Sequence, residues 1–430
     1  MKLFKAFVLT SAILSCVGLA NAGEVGVGGS DLFKFIDDTP EVISASNRTR
    51  VAQAGIKIAQ AADAPNVSLN TLGSMWRHDS SNAPVGRGGV GETRYLDAQV
   101  VVSAPLYDFG VVEYSVDAAE ARARAGGLRE LQVKNNIAAE ALSSLLEHQT
   151  ASLKKQMYTK FMADFATLIE LEEERYIAGF STLSKVRELK LQYLDISTAA
   201  DETVELSNRT RKLLERRFKG FDYERVPTVR LIEYVQSALS SDEDSLLAIE
   251  RQIYADERLG ITHQVASVES SRLPKIEFKG SSRFYDVDKG SLDKYSLEAG
   301  IQLSVNLFDG GQKTFQIDEL ETEGMLLDAR FNERFRAAIE ENERLKSQLT
   351  VLTGDLKDLS EQAEILSDRS IMVERQRALG SSSVEEQIEV LTSLYGNRFA
   401  LLEAQLAYSQ TVIEIARLRE QLYPLVINFE

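Results

Sequence analysis

The side chains that could do chemistry are scattered along the sequence rather than grouped. The glycine-rich stretch Gly86–Gly91 lacks the Lys-Ser/Thr pair of a phosphate-binding loop and lies between two predicted strands. His78, His148 and His263 are far apart, and none has the spacing of a metal site. No group of serine, cysteine or carboxylate residues indicates a nucleophile or an acid–base pair beyond what 65 acidic residues produce by chance. The sequence therefore predicts no enzyme activity, no cofactor and no metal.

Two aspartates stand at predicted junctions between a strand and a helix. Asp108 lies in the segment LYDFG and Asp309 in LFDGG, and each is followed by a glycine, Gly110 or Gly311, that allows a tight passage. A carboxylate at this place accepts hydrogen bonds from the free amides of the first helical turn and faces the positive end of the helix dipole. We therefore interpret both aspartates as helix caps rather than as groups with a role in transport.

The same two segments reveal an internal repeat, because they are 201 residues apart. The offset of 201 also carries Gly179 onto Gly380, so that 69 positions separate the junction glycine from the second glycine in both halves. After a signal segment at residues 1–22, we expect a first structural repeat over 23–225 and a second over 226–430. Each repeat is predicted to contain a helix, a strand pair, a long helix, a tip and a further helix.

Two long segments without proline predict long helices, because proline breaks the helix interior. These segments run from Pro105 to Pro227 and from Pro274 to Pro424. In the second segment the apolar positions alternate steps of four and three, which is the heptad pattern of a coiled coil. At 1.5 Å per residue, 69 residues give a helix of roughly 100 Å. The seam of the second segment comprises Phe331, Phe335, Ala338, Asn342, Leu345, Leu349, Leu352, Leu356, Leu359, Ala363 and Leu366. That of the first comprises Leu128, Leu131, Asn135, Ala138, Leu142 and Leu145.

The strand pairs alternate with period two, which indicates a sheet with two different faces. Tyr295, Leu297 and Ile301 point to one face, and Glu298 and Gln302 point to the other. A half-buried sheet under a helix layer would also fit this alternation. Four strands cannot close a membrane barrel, since the smallest bacterial barrels have eight, and open sheet edges do not occur in lipid. A membrane role would therefore require several chains, and three chains would supply twelve strands.

The net charge and the N-terminal segment restrict the possible partners and the cellular location of the protein. The formal net charge of −16 argues against nucleic acid as a binding partner, because a phosphate backbone requires a basic surface. This negative charge is explained either by solubility or by an acidic lumen that favours cations. Residues 1–22 have two lysines, an apolar run and the ending Ala20-Asn21-Ala22, which is typical of a secretory signal. Cys16, the only cysteine, lies in this segment, and lipidation at Cys16 stays open as an alternative.

Taken in order, these motifs resemble the TolC-like outer-membrane efflux and secretion proteins over nearly the whole mature chain. The most specific matches are LYDFG, LFDGG and the two tip segments around Gly179 and Gly380. The resemblance implies an α+β membrane protein, a homotrimer with a twelve-stranded barrel in outer-membrane lipid and a coiled-coil α-helical tunnel through the periplasm. It also implies that the helix tips, with Ser181 and Ser382, dock on a periplasmic adaptor that links the channel to an inner-membrane transporter.

The resemblance further implies an acidic gate at the periplasmic mouth. Glu386 and Glu389 fall on the positions that narrow the mouth in such proteins, and Lys185 and Glu188 lie at the corresponding places after the first tip. The position of Lys185 is usually acidic, and a basic residue often stands where this chain has Ser382. We therefore expect a gate ion pair of exchanged sign, in which Lys185 meets Glu386 or Glu389. A solvated surface turn is the alternative for these residues.

The function expected from the resemblance is that of a passive outer-membrane conduit. The segment LYDFG followed by the helix from Val116 to Glu120 is more similar to type I secretion ducts than to multidrug efflux ducts. Small-molecule efflux is the alternative within the family. Two further alternatives are a soluble periplasmic coiled-coil adaptor, although the chain lacks the lipoyl-like domain of such proteins, and an open-ended filament.

Overall fold

The computed structural model describes residues 35–79, 90–217, 228–239, 246–285, 287 and 294–427. The predicted signal segment with Cys16 and most of the glycine-rich stretch 86–91 lie outside these residues. The helices and strands are, in order, α1 (Pro40–Ala61), β1 (Asn66–Asp79), β2 (Val90–Tyr107), α2 (Val111–Ile177), α3 (Leu183–Arg217), α4 (Thr228–Ala238), α5 (Ala248–Ser270), β3 (Lys275–Phe284), β4 (Tyr295–Ser304), α6 (Gln312–Ala378), α7 (Val384–Leu418) and α8 (Leu422–Ile427). No helix among the described residues is long and apolar enough to cross a membrane.

The long helices of the two halves have equal lengths. Helices α2 and α6 each contain 67 residues, and α3 and α7 each contain 35. The first and last residues of each pair differ by 201, which is also the offset between the sequence motifs. The absence of proline from these segments explains why α2 and α6 run without interruption.

The predicted helical seams mark the packed sides of these helices. All eleven seam residues of α6 are buried or half-buried, and Asn135, Ala138, Leu142 and Leu145 of α2 are buried. Leu131 is the exception, because its side chain is exposed. The heptad pattern therefore predicted the packed side correctly at nearly all of the seam positions of both helices.

The four predicted strands are confirmed and form one antiparallel sheet in the order β1-β2-β3-β4. The register between β2 and β3 shifts once, between Pro105 and Tyr107. Proline has no amide hydrogen for the ladder, which accounts for an irregularity at this point. Within the described part of one chain, β1 and β4 each pair on one side only.

The described residues divide into two compact units, which cut across the two sequence halves. The first takes residues within 1–45, 130–250 and 334–430, and the second takes those within 46–129 and 251–333. The main core of the first unit contains Leu142, Leu231, Ile413 and Leu422 among its fully buried side chains. The second unit contains the sheet and a close helix contact, where Gly260 lies against Ala118 and Ala121. The bounds of the two compact units therefore do not coincide with the predicted repeats at 23–225 and 226–430.

Glu420, a residue near the C-terminal end of the sequence, caps the first turn of helix α5. The buried carboxylate of Glu420 accepts hydrogen bonds from the backbone N–H groups of Ile249 (2.6 Å) and Glu250 (2.8 Å), and from Nε2 of Gln132 (2.6 Å). Leu247, which precedes α5, has no side-chain oxygen that could cap it. Glu420 has a φ of 58°, a left-handed conformation that favours glycine. The capping bonds explain why a glutamate occupies this strained position.

Candidate functional site

The two predicted junction aspartates cap their helices with the same geometry. Asp108 Oδ1 accepts from Gly110 N–H (3.0 Å) and Oδ2 accepts from Val112 N–H (2.8 Å). Asp309 Oδ1 accepts from Gly311 N–H (2.9 Å) and Oδ2 accepts from Lys313 N–H (3.2 Å). The backbone hydrogen bonds from Gly311 and Lys313 hold the pKa of Asp309 below its usual value, because they stabilise the ionised carboxylate.

The junction glycines adopt backbone conformations that side chains disfavour. Gly110 has a φ of 89° and Gly311 a φ of 87°. An added Cβ at Gly110 would lie 3.2 Å from the ring of Tyr114, and one at Gly311 would lie 3.3 Å from the ring of Phe315. The tight passage expected between strand and helix therefore requires glycine in both halves.

The strand register gathers the apolar side chains on one face of the sheet. Val102 is opposite Val67, Phe278 is opposite Ile301, and Ile276 is opposite Leu303. The apolar members of this face are Val67, Leu69, Leu96, Ala98, Val100, Val102, Ala104, Ile276, Phe278, Phe284, Tyr295, Leu297, Ala299, Ile301 and Leu303. In the single chain these side chains are poorly covered, since Leu297 is 76% exposed and Ile301 is 72% exposed. An exposed apolar face of this extent requires an apolar surrounding.

Among the strand residues whose side chains are described, the opposite face of the sheet is mainly polar, apart from Leu72, Val101 and Pro105. Glu277 Oε1 lies 2.6 Å from Lys275 Nζ, and its Oε2 lies 3.7 Å from Lys279 Nζ. The other polar members are Ser68, Asn70, Asp97, Gln99, Ser103, Ser281, Arg283, Ser296, Glu298, Gln302 and Ser304. The sheet thus separates an apolar face from a hydrophilic face that water can wet.

Each long helix ends in a glycine turn, which forms the tip. Gly179 has a φ of 81° and Gly380 a φ of 77°. After α2, Phe180 N–H donates to Arg175 O (2.8 Å); after α6, Ser381 N–H donates to Gln376 O (2.9 Å). This is the Schellman arrangement, in which a left-handed residue after the helix allows the last carbonyls to be satisfied. The two predicted tip glycines therefore have the same structural task.

The helices that follow the tips begin with hydroxyl caps. Ser383 Oγ accepts from Glu386 N–H (3.2 Å), and Thr182 Oγ1 accepts from Lys185 N–H (3.4 Å). Lys185 and Glu386 are therefore equivalent third residues of their helices. The side chain of Glu386 accepts a hydrogen bond from Ser382 Oγ (2.7 Å).

The ion pair of Lys185 differs from the expected one. Within the chain, Lys185 Nζ pairs with Glu385 Oε1, and not with Glu386 or Glu389. The physical reason is that Glu386 turns back to Ser382 at the tip, whereas Glu385, one residue earlier, is directed to α3. The sequence offered no sign that separated Glu385 from its acidic neighbours.

Three of the four predicted gate residues line one open groove of about 540 Å³ in the first unit. These residues are Lys185, Glu188 and Glu389, whereas Glu386 is not part of the lining. Glu172, Asp195 and Glu385, which the sequence analysis missed, are also part of it, so five carboxylates face a single lysine. The apolar lining comprises Phe161, Phe165, Leu189, Ile196 and Ile388. The groove can attract positive charge, and its acidic walls repel one another.

His148 and His263 each lie beside an ordinary polar side chain. His148 Nδ1 lies 3.1 Å from Thr210 Oγ1, and His263 Nδ1 lies 3.7 Å from Asp117 Oδ2. Among the described residues, no group of three or more histidine, cysteine, aspartate or glutamate side chains is arranged to hold a metal ion.

Comparison of the sequence with protein families gives a match to part of the chain. Residues 35–211 match the family described as outer membrane efflux protein. Among curated proteins the sequence has no significant match.

Solved structures with a similar fold cover nearly the whole chain. The outer membrane protein VceC from Vibrio cholerae has a TM-score of 0.73 at 16% identity, covering 91% of this chain and 95% of its own. CusC, whose structures concern transmembrane channel formation, has a TM-score of 0.75 at 13% identity, covering 94% and 95%. The Campylobacter jejuni CmeC outer membrane channel has a TM-score of 0.73 at 11% identity, covering 94% and 90%. These similarities establish the fold.

Proposed function

We propose that three copies of this chain form a closed export duct in the outer membrane, because its residues 35–211 match the outer membrane efflux protein family. Proteins of this family are passive channels of the outer membrane and not enzymes. We therefore infer that the chain is an outer membrane channel protein and that the energy for export comes from a partner. The number of copies, the partners and the cargo belong to the proposal.

The observation that carries the proposal is the two-faced sheet. Among the described residues of one chain, β1 and β4 each have one unpaired edge, and lipid does not tolerate free backbone groups. Four strands are too few for a barrel, whereas three chains supply twelve, with β1 of one copy beside β4 of the next. The apolar face around Ile301 then meets lipid, and the polar face around Glu277 lines the passage.

The helical part supports a passage that continues into the periplasm. Three copies would contribute twelve long helices from the pairs α2, α3 and α6, α7. We place the acidic groove with Lys185, Glu188 and Glu389 at the periplasmic mouth, together with Glu386. The tips at Gly179 and Gly380, with Ser181 and Ser382, are the proposed docking points for a periplasmic adaptor, which connects the duct to an inner-membrane transporter.

Two neighbouring residues of β4 test which face meets lipid. Ile301→Arg places a charge on the apolar face, where an arginine near the middle of the membrane costs about 2–4 kcal/mol. Gln302→Arg places the same charge one residue away on the polar face, where water solvates it. We expect Ile301→Arg to reduce the amount of protein in the outer membrane fraction, and Gln302→Arg to leave that amount unchanged.

Equal membrane levels of the two arginine variants would contradict the assignment of faces. If the Gln302→Arg protein is depleted from the outer membrane fraction and the Ile301→Arg protein is not, the assignment of the two faces must be reversed. Far-ultraviolet circular dichroism of each purified variant in detergent verifies that the helices are formed.

For the cargo, we infer protein secretion of the type I class from the helix at Val116–Glu120, which follows the LYDFG junction. Small-molecule efflux is the second candidate, because the matched family is described by efflux. Deletion of the coding sequence separates the two. Loss of a large protein from the culture medium supports secretion, whereas unchanged secretion with a lowered tolerance to toxic small molecules supports efflux.

A further inference from the structure

A buried carboxylate lies at the first tip. The side chain of Glu172, in the last turns of α2, is 3% exposed. Its Oε1 accepts a hydrogen bond from the hydroxyl of Ser181 in the tip turn. Its Oε2 has no hydrogen-bond partner among the described residues, and the nearest cation is Arg175, whose Nη1 is 3.5 Å away. The carboxylate is therefore only partly compensated for its removal from water.

The second half of the chain shows that this position does not need a charge. The offset of 201 carries Glu172 onto Val373 of α6, which is also 3% exposed. The same offset carries Ser181 onto Ser382, whose hydroxyl donates outward to the less buried Glu386. The two tips thus secure equivalent serines in different ways. The first uses a buried acceptor on the preceding helix, and the second uses an acceptor on the following helix.

The surroundings of Glu172 make its charge unfavourable for folding. The groove that it lines also contains Glu188 and Asp195 from α3 and Glu385 and Glu389 from α7, with Lys185 as the one basic lining residue. Lys185 already pairs with Glu385. Replacing a partly compensated buried charge by an apolar side chain of similar size is often neutral or stabilising. A glutamate where valine would pack therefore has a purpose other than stability.

We propose that Glu172 and Ser181 form a tip latch, a buried hydrogen bond that fixes the turn after α2 against its own helix. The turn contains the amides of Ala178, Gly179 and Phe180, which bond to carbonyls of the last helical turn. Fixing Ser181 fixes the point at which α3 begins, and hence the height of Lys185 opposite Glu385. Glu172 is thus a positioning residue for the ion pair at the mouth.

Hydrogen exchange of the full-length protein in detergent tests the latch directly. Glu172→Val and Ser181→Ala both remove the hydrogen bond, and both should speed the exchange of residues 178–180 by roughly tenfold or more. Glu172→Gln is the matched control, because its amide oxygen still accepts from Ser181 without the charge, and its exchange should stay close to the wild-type rate. The amides of Leu379, Gly380 and Ser381 at the second tip should not change in any variant.

Thermal unfolding separates a latch from an ordinary structural contact. Glu172→Val should melt at the same temperature as the wild type or higher, although its first tip exchanges faster. A lowered melting temperature with unchanged exchange at residues 178–180 would overturn the proposal. Faster exchange in Glu172→Gln equal to that in Glu172→Val would also overturn it, because the charge and not the hydroxyl bond would then hold the turn.

The consequence for conduction rests on the proposed channel function, whereas the exchange experiment does not. In planar bilayers we expect Glu172→Val and Ser181→Ala to raise the fraction of time in conducting states severalfold over the wild type and Glu172→Gln. A faster-exchanging tip with unchanged conduction would refute the coupling of the latch to the mouth. A wild-type protein that never conducts would instead count against the channel function itself.

Discussion

The ion pair between Lys185 and Glu385 joins the starts of α3 and α7 at the proposed mouth. Both side chains are about half exposed, at 49% and 54%, and such a pair contributes about 0.2–1 kcal/mol. Lys185→Glu places two carboxylates together, so we expect a larger single-channel conductance in bilayers. The double variant Lys185→Glu/Glu385→Lys restores attraction and should return the conductance to the wild-type level. A double variant that conducts like Lys185→Glu would show that the pair does not hold the mouth.

The cap at Asp309 gives the protein a dependence on pH. Hydrogen bonds from Gly311 and Lys313 lower the pKa of the folded carboxylate, so its contribution is present above the unfolded pKa of about 3.9 and is lost as the pH falls through the folded value. We expect Asp309→Asn to melt below the wild type at pH 7, with the difference shrinking at pH values below about 4. Asp318→Asn, on the exposed side of the same helix, is the control and should show no such difference.

At the scale of elements, the helix α5 depends on the distant Glu420 for its first turn. Glu420→Ala removes the acceptor for two backbone amides and should lower the free energy of unfolding by about 1–2 kcal/mol. Glu420→Gly also removes the acceptor but relieves the left-handed backbone at φ 58°, so it should cost less than Glu420→Ala. Denaturant unfolding followed by circular dichroism measures both, and equal losses would show that backbone strain is unimportant here.

Elements whose signal lies in neighbouring residues could be predicted from the sequence. The proline-free segments with a heptad pattern predicted α2 and α6, and the alternation of apolar and polar residues predicted the strands. Gly179 and Gly380 indicated where the tips lie. Contacts between distant segments could not be predicted, because the tertiary fold decides which of their residues meet. The partner of Lys185, the burial of Glu172 and the cap from Glu420 belong to this group. Only the comparison of Glu172 with Val373 at the repeat offset offered a hint.

At the scale of the molecule, β1 and β4 each leave one edge of the sheet unpaired among the described residues, and the proposed trimer would pair these edges between neighbouring copies. The alternation of apolar and polar residues predicted the two faces, and the register then joined the apolar rows of all four strands. The division into compact units was not predictable from the repeat, because each unit combines segments from both halves. The predicted repeat and the compact units therefore divide this chain at different residues.

The mass of the processed protein extracted from membranes tests the central claim most directly. Native mass spectrometry in detergent should give three times the mass of one processed chain, from the outer membrane fraction. Because the proposed duct pairs the edges of β1 and β4 only between neighbouring copies, few single chains should be present. A stable, water-soluble single chain in the periplasmic fraction would contradict the account.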